Sequence, residues 1–102
     1  MPKKNNRLPP VHPGEILRED LMQPLGLTVA GLARELKIST NRMREIVKGR
    51  RAISADTALR LSRYFGNTAE FWINLQATYD LRVAAHSSAS RIVREVRPRR
   101  AA

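Results

Sequence analysis

The sequence contains no cysteine and only two histidines among its 102 residues. Without thiols the chain forms neither a disulfide framework nor a thiolate zinc site, which fits the reducing cytoplasm where we expect it to act. His12 and His86 lie far apart with no second ligand at metal-binding spacing, so we expect no metal and no cofactor. The basic start lacks the apolar stretch of a secretory signal, and no apolar run is long enough to span a bilayer, so no membrane partner is expected.

The chain also lacks the patterns typical of catalysis. We find no nucleophile paired with a base, no paired carboxylates suited to a cleft and no glycine-rich phosphate loop. A chain of 102 residues is expected to form one domain, too small to carry a separate ligand-sensing unit. We therefore expect a binding protein without enzymatic activity, regulated by a partner or by its abundance.

Positive charge is what the sequence has in excess, with 19 lysines and arginines against 9 acidic residues. Residues 1–12 are predicted to be a flexible basic arm, residues 13–85 a folded domain and residues 86–102 a basic tail. Such a charge favours polyanions, either nucleic acid or an acidic protein surface. A solvated role without ordered contacts is an equal alternative for both ends.

Residues 28–49 predict two short amphipathic helices joined by a tight turn. Apolar residues recur at i, i+3, i+4 and i+7 in the first helix, and Ser39 suits the N-cap of the second. Lys37 lies where such turns usually place a glycine with positive φ, a conformation that costs lysine about 1 kcal/mol. The pattern predicts a helix-turn-helix, with two ordinary core helices as the alternative.

Charge favours the DNA-binding interpretation of this helix pair. Residues 34–51 contain seven lysines and arginines but only two glutamates. A solvated helix face usually carries charges of both signs. The outward face of the second helix is polar over its first turns, which suits the DNA major groove. A basic RNA-binding protein would need aromatics among these charges, but Phe71, Trp72 and Tyr79 lie elsewhere.

Three further helices complete a predicted all-α fold of five helices. The first begins at Pro13, with His12 before it, and ends before Pro24; another is capped by Ser54 and ends at Gly66. The last begins near Thr68 and carries most of the aromatic side chains. Its apolar residues are expected to pack in the core or in a dimer interface, and the dimerisation candidates on it are Trp72, Leu75 and Tyr79.

Beyond residue 85 the composition changes. The stretch HSSAS at 86–90 predicts a loop, and RIVREV at 91–96 predicts a short β-strand that includes Ile92 and Val93. Because a single strand is not stable alone, it would pair with the same strand of a second subunit. A frayed or helical tail is the alternative.

Residues 11–83 resemble the HigA antitoxins, a branch of the phage-repressor-like helix-turn-helix proteins. The resemblance rests on VHPGEILREDL, TVAGLARELKISTNRMREIVKGRRAIS, DTALRLSRYFG and TAEFWINLQATYDL, which occur in the family's order and spacing. The HPGEIL and EFWINLQ blocks distinguish this branch from general repressors. The resemblance implies a compact five-helix, repressor-like body and a homodimer that binds a palindromic operator in its own promoter. It also implies association with a HigB toxin, a small ribosome-dependent mRNA endonuclease.

The same resemblance implies residue roles in DNA binding. Thr40, Asn41 and Glu45 occupy the outward positions that usually read bases, although Glu45 could instead pair with Arg42 or Arg44. Those two arginines stand where base or phosphate contact is expected. The full expected set is Thr28, Ser39, Thr40, Asn41, Arg42, Arg44, Glu45, Lys48, Arg50 and Arg51.

A toxin contact is expected on the first helix. Glu15, Glu19 and Asp20 form the largest acidic patch of a basic chain, away from the part that reads DNA. The alternative is that these residues only solvate the helix and favour its N-terminal dipole. At the level of function, the alternative is a stand-alone repressor without a toxin partner.

Overall fold

The computed structural model describes residues 9–100, which form five helices. Helix α1 has three consecutive segments: α-helical Pro13–Ile16, π-helical Leu17–Met22 and α-helical Gln23–Leu25. It is followed by α2 (Val29–Leu36), α3 (Thr40–Val47), α4 (Ala55–Phe65) and α5 (Ala69–Glu95). The predicted all-α, five-helix fold is confirmed. Residues 1–8 of the expected arm lie outside the described residues.

Short polar side chains set where the last four helices begin. Thr28, Ser39, Ser54 and Thr68 occupy the N-cap positions, and each hydroxyl accepts a backbone N–H three residues further on. Each of these contacts satisfies one of the donors that a helix start leaves without an intrahelical partner. The caps predicted at Ser39 and Ser54 are confirmed, and the last helix begins at the expected Thr68.

Helix α1 continues past its expected end, since Pro24 lies inside it. A proline has no N–H and its ring crowds the carbonyl four residues earlier, which normally breaks a helix. Here the preceding turns are π-helical, and the Gln23 N–H reaches back five residues to the Arg18 carbonyl. The wider turn accommodates the proline, so the helix ends only at Gly26, which has a φ of 68°.

The core lies where all five helices meet. Its fully buried side chains include Leu17 of α1, Leu32 of α2, Met43 and Ile46 of α3, Leu61 of α4 and Trp72 of α5. The Trp72 indole Nε1 donates to Asn67 Oδ1 at 3.0 Å, so its polar group is satisfied within the chain. Because Trp72 is 0% exposed, its assignment as a dimerisation residue is wrong. Leu75 and Tyr79 are half-buried and remain candidates.

The loop expected at 86–90 and the strand expected at 91–96 are both wrong, because α5 runs unbroken through the expected boundary at residue 85 to Glu95. Alanine, arginine and glutamate in this stretch favour a helix. The Ser87 hydroxyl donates to the Val83 carbonyl at 3.0 Å, and Arg91 lies 3.8 Å from the Glu95 carboxylate one turn later. Strand pairing across a dimer is therefore excluded for residues 91–95, and Ile92 and Val93 lie exposed on a helix.

The turn between α2 and α3 generates a prediction about stability. Lys37 has φ 60° and ψ 42°, a left-handed conformation that disfavours any residue with a Cβ. Its side chain is exposed, so a substitution removes no core contact. We expect Lys37→Gly to raise the free energy of unfolding by about 1 kcal/mol, measured by urea denaturation. Lys37→Ala, which keeps the Cβ, is the matched control, and equal stability of the two variants would contradict the strain assignment.

Candidate nucleic-acid interface

Helices α2 and α3 form the predicted helix-turn-helix. Their inner faces are buried through Leu32, Ala33 and Leu36 on α2 and Met43, Ile46 and Val47 on α3. The turn between them closes with the Ile38 N–H donating to the Ala33 carbonyl at 3.0 Å. With its apolar side fixed in the core, α3 leaves its polar side free for a ligand surface.

Polar groups lie at the starts of both helices, with two exposed side chains in the first turn of α3 and one capping hydroxyl at each helix. Thr40 and Asn41 are exposed at its start, as expected for base-reading residues. Ser39 Oγ accepts the Arg42 N–H at 3.0 Å, and Thr28 Oγ1 accepts the Gly31 N–H at 3.0 Å. Each capping hydroxyl keeps its own proton, which can be donated to a phosphate oxygen. Ser39 and Thr28 therefore combine a structural role with a hydroxyl proton that remains available to a ligand.

Arg42 is placed differently from the other cations of α3. Its Nη2 donates to Asp56 Oδ2 at 3.0 Å and also to Thr57 Oγ1, both in the first turn of α4. The same Asp56 oxygen accepts from Arg60 Nε at 2.8 Å, and Arg60 Nη1 donates to the Leu36 carbonyl at the end of α2 at 2.9 Å. We call this set of contacts the Arg42–Asp56–Arg60 network. It ties α2 and α3 to α4.

The network has an electrostatic consequence for Asp56. Hydrogen bonds from Arg60 and then Arg42 hold the pKa of the Asp56 carboxyl below its ordinary value, so it stays ionised at neutral pH. This network was not predicted from the sequence. The four-residue spacing of Asp56 and Arg60 on a predicted helix signals their pairing, but the contact to Arg42 spans fourteen residues and has no local signal.

Glu45 pairs with a different partner from those expected. Its carboxylate lies 4.0 Å from Arg50 Nη1, rather than beside Arg42 or Arg44. The Arg50 N–H also donates to the Glu45 carbonyl at 2.8 Å, which fixes the chain where it leaves α3. The Arg50 side chain is still 64% exposed, so it remains accessible to a phosphate. Arg44, Lys48 and Arg51 are also exposed.

The HPG sequence at the start of α1 positions the far end of α3. His12 Nδ1 caps α1 by accepting the Gly14 N–H at 2.8 Å, which confirms its expected place before Pro13. The His12 ring packs edge-on against Tyr79, with centroids 4.9 Å apart. Gly14 lies so close to α3 that a Cβ there would overlap the Ile46 carbonyl oxygen. The segment that follows α3 is therefore held by α1 and α5 together.

The acidic side chains expected to face a toxin are exposed on α1. Glu15, Glu19 and Asp20 point away from the core, and Arg18 donates to Glu19 at 2.9 Å. The Arg18 guanidinium neutralises part of this patch, which leaves Glu15 and Asp20 as its remaining charges. Between residues 9 and 100, no group of three or more potential ligands could hold a metal ion. No helix in that range is long and apolar enough to cross a membrane.

Comparison with known proteins gives consistent matches along most of the chain. A helix-turn-helix family model matches residues 17–72. The chain is 49% identical over 90 residues to virulence-associated protein I of Dichelobacter nodosus, covering 88% of this chain and 83% of that protein. It is 35% identical over 72 residues to antitoxin HigA-1 of Vibrio cholerae, covering 71% and 67%.

Two solved structures that contain promoter or operator DNA have the same fold as this chain. The Pseudomonas aeruginosa antitoxin HigA with the higBA promoter is 45% identical, with a TM-score of 0.85 and coverage of 87% of this chain and 97% of that one. Antitoxin GraA in complex with its operator is 42% identical, with a TM-score of 0.86 and coverage of 92% and 95%. The chain is thus similar over nearly its whole described length to proteins solved on operator DNA.

The position of His12 predicts a pH dependence of stability. Burial lowers the pKa of His12 below its ordinary 6.5, against the opposing effects of the Asp80 carboxylate and a hydrogen bond to the Arg51 backbone. As the pH falls through about 6.5, the unfolded chain takes up a proton that the folded chain resists, so the free energy of unfolding decreases. Above that pH the contribution is complete. Urea denaturation between about pH 5 and about pH 7.5 measures the slope.

Two histidine variants make this measurement specific. His12→Asn keeps an N-cap acceptor without a titrating group, so the pH-dependent loss should shrink. His86→Asn replaces an exposed histidine and should leave the slope unchanged. An unchanged slope in His12→Asn would show that another group is responsible.

Proposed function

This chain belongs to the helix-turn-helix family, in its HigA antitoxin branch, and we propose that it represses its own operon by binding operator DNA and neutralises a HigB-like mRNA endonuclease. The observation that carries the DNA-binding part is the exposed polar and basic side of α3 and of the segment after it. This side presents Thr40, Asn41, Arg44, Lys48, Arg50 and Arg51. The family resemblance expected from the sequence is confirmed by the helix-turn-helix match and by the HigA relatives.

In the proposed complex, the start of α3 contacts bases and the segment after its end contacts phosphates. Thr40 and Asn41 at its start are placed to address base edges in the major groove, because amide and hydroxyl groups match the donors and acceptors displayed there. Lys48, Arg50 and Arg51 after its end neutralise phosphates and fix the position of α3 on the duplex. Base contacts supply the sequence preference and phosphate contacts supply most of the affinity.

A single α3 reads too few base pairs for an operator, so we propose that two chains bind together. Two recognition helices must then lie about 34 Å apart to enter successive major grooves. We propose that the pairing surface lies on α5, where Leu81, Val83, Ile92 and Val93 are exposed. Leu75 and Tyr79 lie half-buried on the same helix, nearer the core. A homodimer through α5 keeps the basic side of α3 free for DNA.

The toxin part of the proposal is supported by the antitoxin relatives and by the acidic side of α1. A chain with a net charge of +10 repels another basic protein unless its acidic groups face that partner. Glu15, Glu19 and Asp20 are exposed and lie on the helix that precedes the helix-turn-helix. A stand-alone repressor is the alternative, and a neighbouring reading frame for a small basic nuclease distinguishes the two.

Two substitutions test the division of labour in DNA binding. Asn41→Ala should reduce discrimination among operator variants by about 1 to 3 kcal/mol, because a base contact is lost. Arg50→Ala should weaken binding to all duplexes alike and flatten the dependence on salt, because a phosphate contact is lost. Fluorescence anisotropy on the duplex from the chain's own promoter and on a shuffled duplex gives both quantities. Equal losses on the two duplexes for Asn41→Ala would contradict the base-reading role.

The toxin surface is tested by reversing charge on α1. Glu19→Lys combined with Asp20→Lys should weaken binding to the neighbouring nuclease at least tenfold, a loss of about 1.4 kcal/mol, and leave operator binding intact or slightly stronger. Isothermal titration with the purified nuclease measures the affinity. Glu70→Lys combined with Glu95→Lys makes the same change in net charge on α5 and is the matched control. Equal effects of the two double variants would move the interface away from α1.

A further inference from the structure

The sequence predicts a base or phosphate contact for Arg42, but its guanidinium is engaged within the chain. It is the third residue of α3, directly after Thr40 and Asn41. Its side chain is only 26% exposed, and Nη2 donates both to Asp56 Oδ2 and to Thr57 Oγ1. Both hydrogens of this nitrogen are therefore committed to α4.

This arrangement restricts what Arg42 can do at a base edge. An arginine recognises guanine through two parallel N–H groups, and a guanidinium offers two such edges, one formed by Nη1 and Nη2 and the other by Nε and Nη2. Both edges require a hydrogen on Nη2. While Asp56 and Thr57 accept from that nitrogen, Arg42 cannot make a two-pronged contact with a base.

We propose that Asp56 is a specificity-determining positioning residue, which withholds Arg42 from direct base reading and leaves that task to Thr40, Asn41 and Arg44. The inference rests on the proposed binding of operator DNA. It assigns a role in DNA recognition to a residue of α4 that lies outside the helix-turn-helix.

The surroundings of Asp56 suit it to this role. Its carboxylate is oriented from a second side by Arg60, which donates to it at 2.8 Å and is itself anchored at 2.9 Å on the Leu36 carbonyl. The carboxylate is thus held by a side chain that is fixed to α2. A phosphate or a base that engages either two-pronged edge of Arg42 must displace the ion pair at 3.0 Å or the hydrogen bond to Thr57.

The test compares Asp56→Ala with Glu19→Ala. Both remove one exposed carboxylate that pairs with an arginine, the first 56% and the second 48% exposed, so the change in net charge is the same. Dissociation constants are measured at several salt concentrations on the duplex from the chain's own promoter and on a shuffled duplex of equal composition. Urea denaturation verifies that each variant is folded, and Asp56→Asn, which preserves the shape of the side chain, serves as the second variant at this position.

Freeing Arg42 should change selectivity rather than only affinity. For Asp56→Ala we expect tighter binding to the shuffled duplex, about a tenfold loss of the promoter-to-shuffled ratio, and a salt slope steeper by about 0.9 for one added phosphate contact. Glu19→Ala should leave the ratio unchanged. In an Arg42→Gln background, Asp56→Ala should no longer alter the ratio, because the group it positions is gone.

Three outcomes would overturn the inference. The first is a ratio that changes no more in Asp56→Ala than in Glu19→Ala. The second is the same effect with and without Arg42. The third is a selective loss of affinity for the promoter duplex in Asp56→Ala, which would mean that Asp56 presents Arg42 to the DNA. Failure of the unmodified protein to prefer its promoter duplex would instead overturn the proposed function, and this inference with it.

Discussion

The close approach of α1 to α3 at Gly14 is the constraint on which the rest of the structure depends. The Gly14 backbone lies against the Ile46 carbonyl, in space that any Cβ would occupy. That carbonyl also accepts the Gly49 N–H at 2.9 Å, so the end of the recognition helix is bonded on one side and covered by α1 on the other. His12 completes the junction, because its ring lies against Gly49 and Tyr79 while its Nδ1 caps α1. Lys48, Arg50 and Arg51 therefore leave α3 from a fixed point, which would orient the proposed phosphate-binding cations before any DNA is present.

The positive charge of residues 34–51 serves two separate purposes. Arg42 is bound to Asp56 and Thr57 and holds the helix pair on α4, whereas Arg44, Lys48 and Arg51 are exposed to solvent. Arg50 is intermediate, with a 4.0 Å approach to Glu45 but a largely accessible side chain. Net charge alone counts all of these residues as ligands for a polyanion. The geometry shows that one of them contributes mainly to the orientation of α3, so the number of phosphates neutralised per chain should be smaller than the number of cations.

Features that depend on neighbouring residues could be predicted from the sequence, and features that depend on distant contacts could not. The caps at Ser39, Ser54 and Thr68 and the left-handed Lys37 follow from local backbone chemistry, and all four are present. The strand expected at 91–96 is wrong because Ile92 and Val93 favour a strand only locally, while the helix that precedes them supplies hydrogen bonds as far as Glu95. Burial of Trp72 inside one chain and the contact between Arg42 and Asp56 join residues from different helices. Periodicity places each residue on a face but does not identify the partner of that face.

Helix α5 links the fold of one chain to its proposed assembly. Its first turns are fixed by burial of Trp72 and by Gln76, whose Oε1 accepts the Ile53 N–H at 2.8 Å and whose Nε2 donates to Asp80 at 2.9 Å. Beyond Asp80 no described side chain of α5 is fully buried, and Leu81 and Val93 are 71% and 77% exposed. A helical stretch of about 15 residues is marginal in water on propensity alone, and the stability of most protein helices comes from packing of one face. The proposed homodimer would supply the packing that the distal half of α5 lacks within one chain. A second copy of α5 would bury these apolar side chains in a symmetric dimer, since it exposes the same residues. Such a dimer would leave the basic side of both chains accessible.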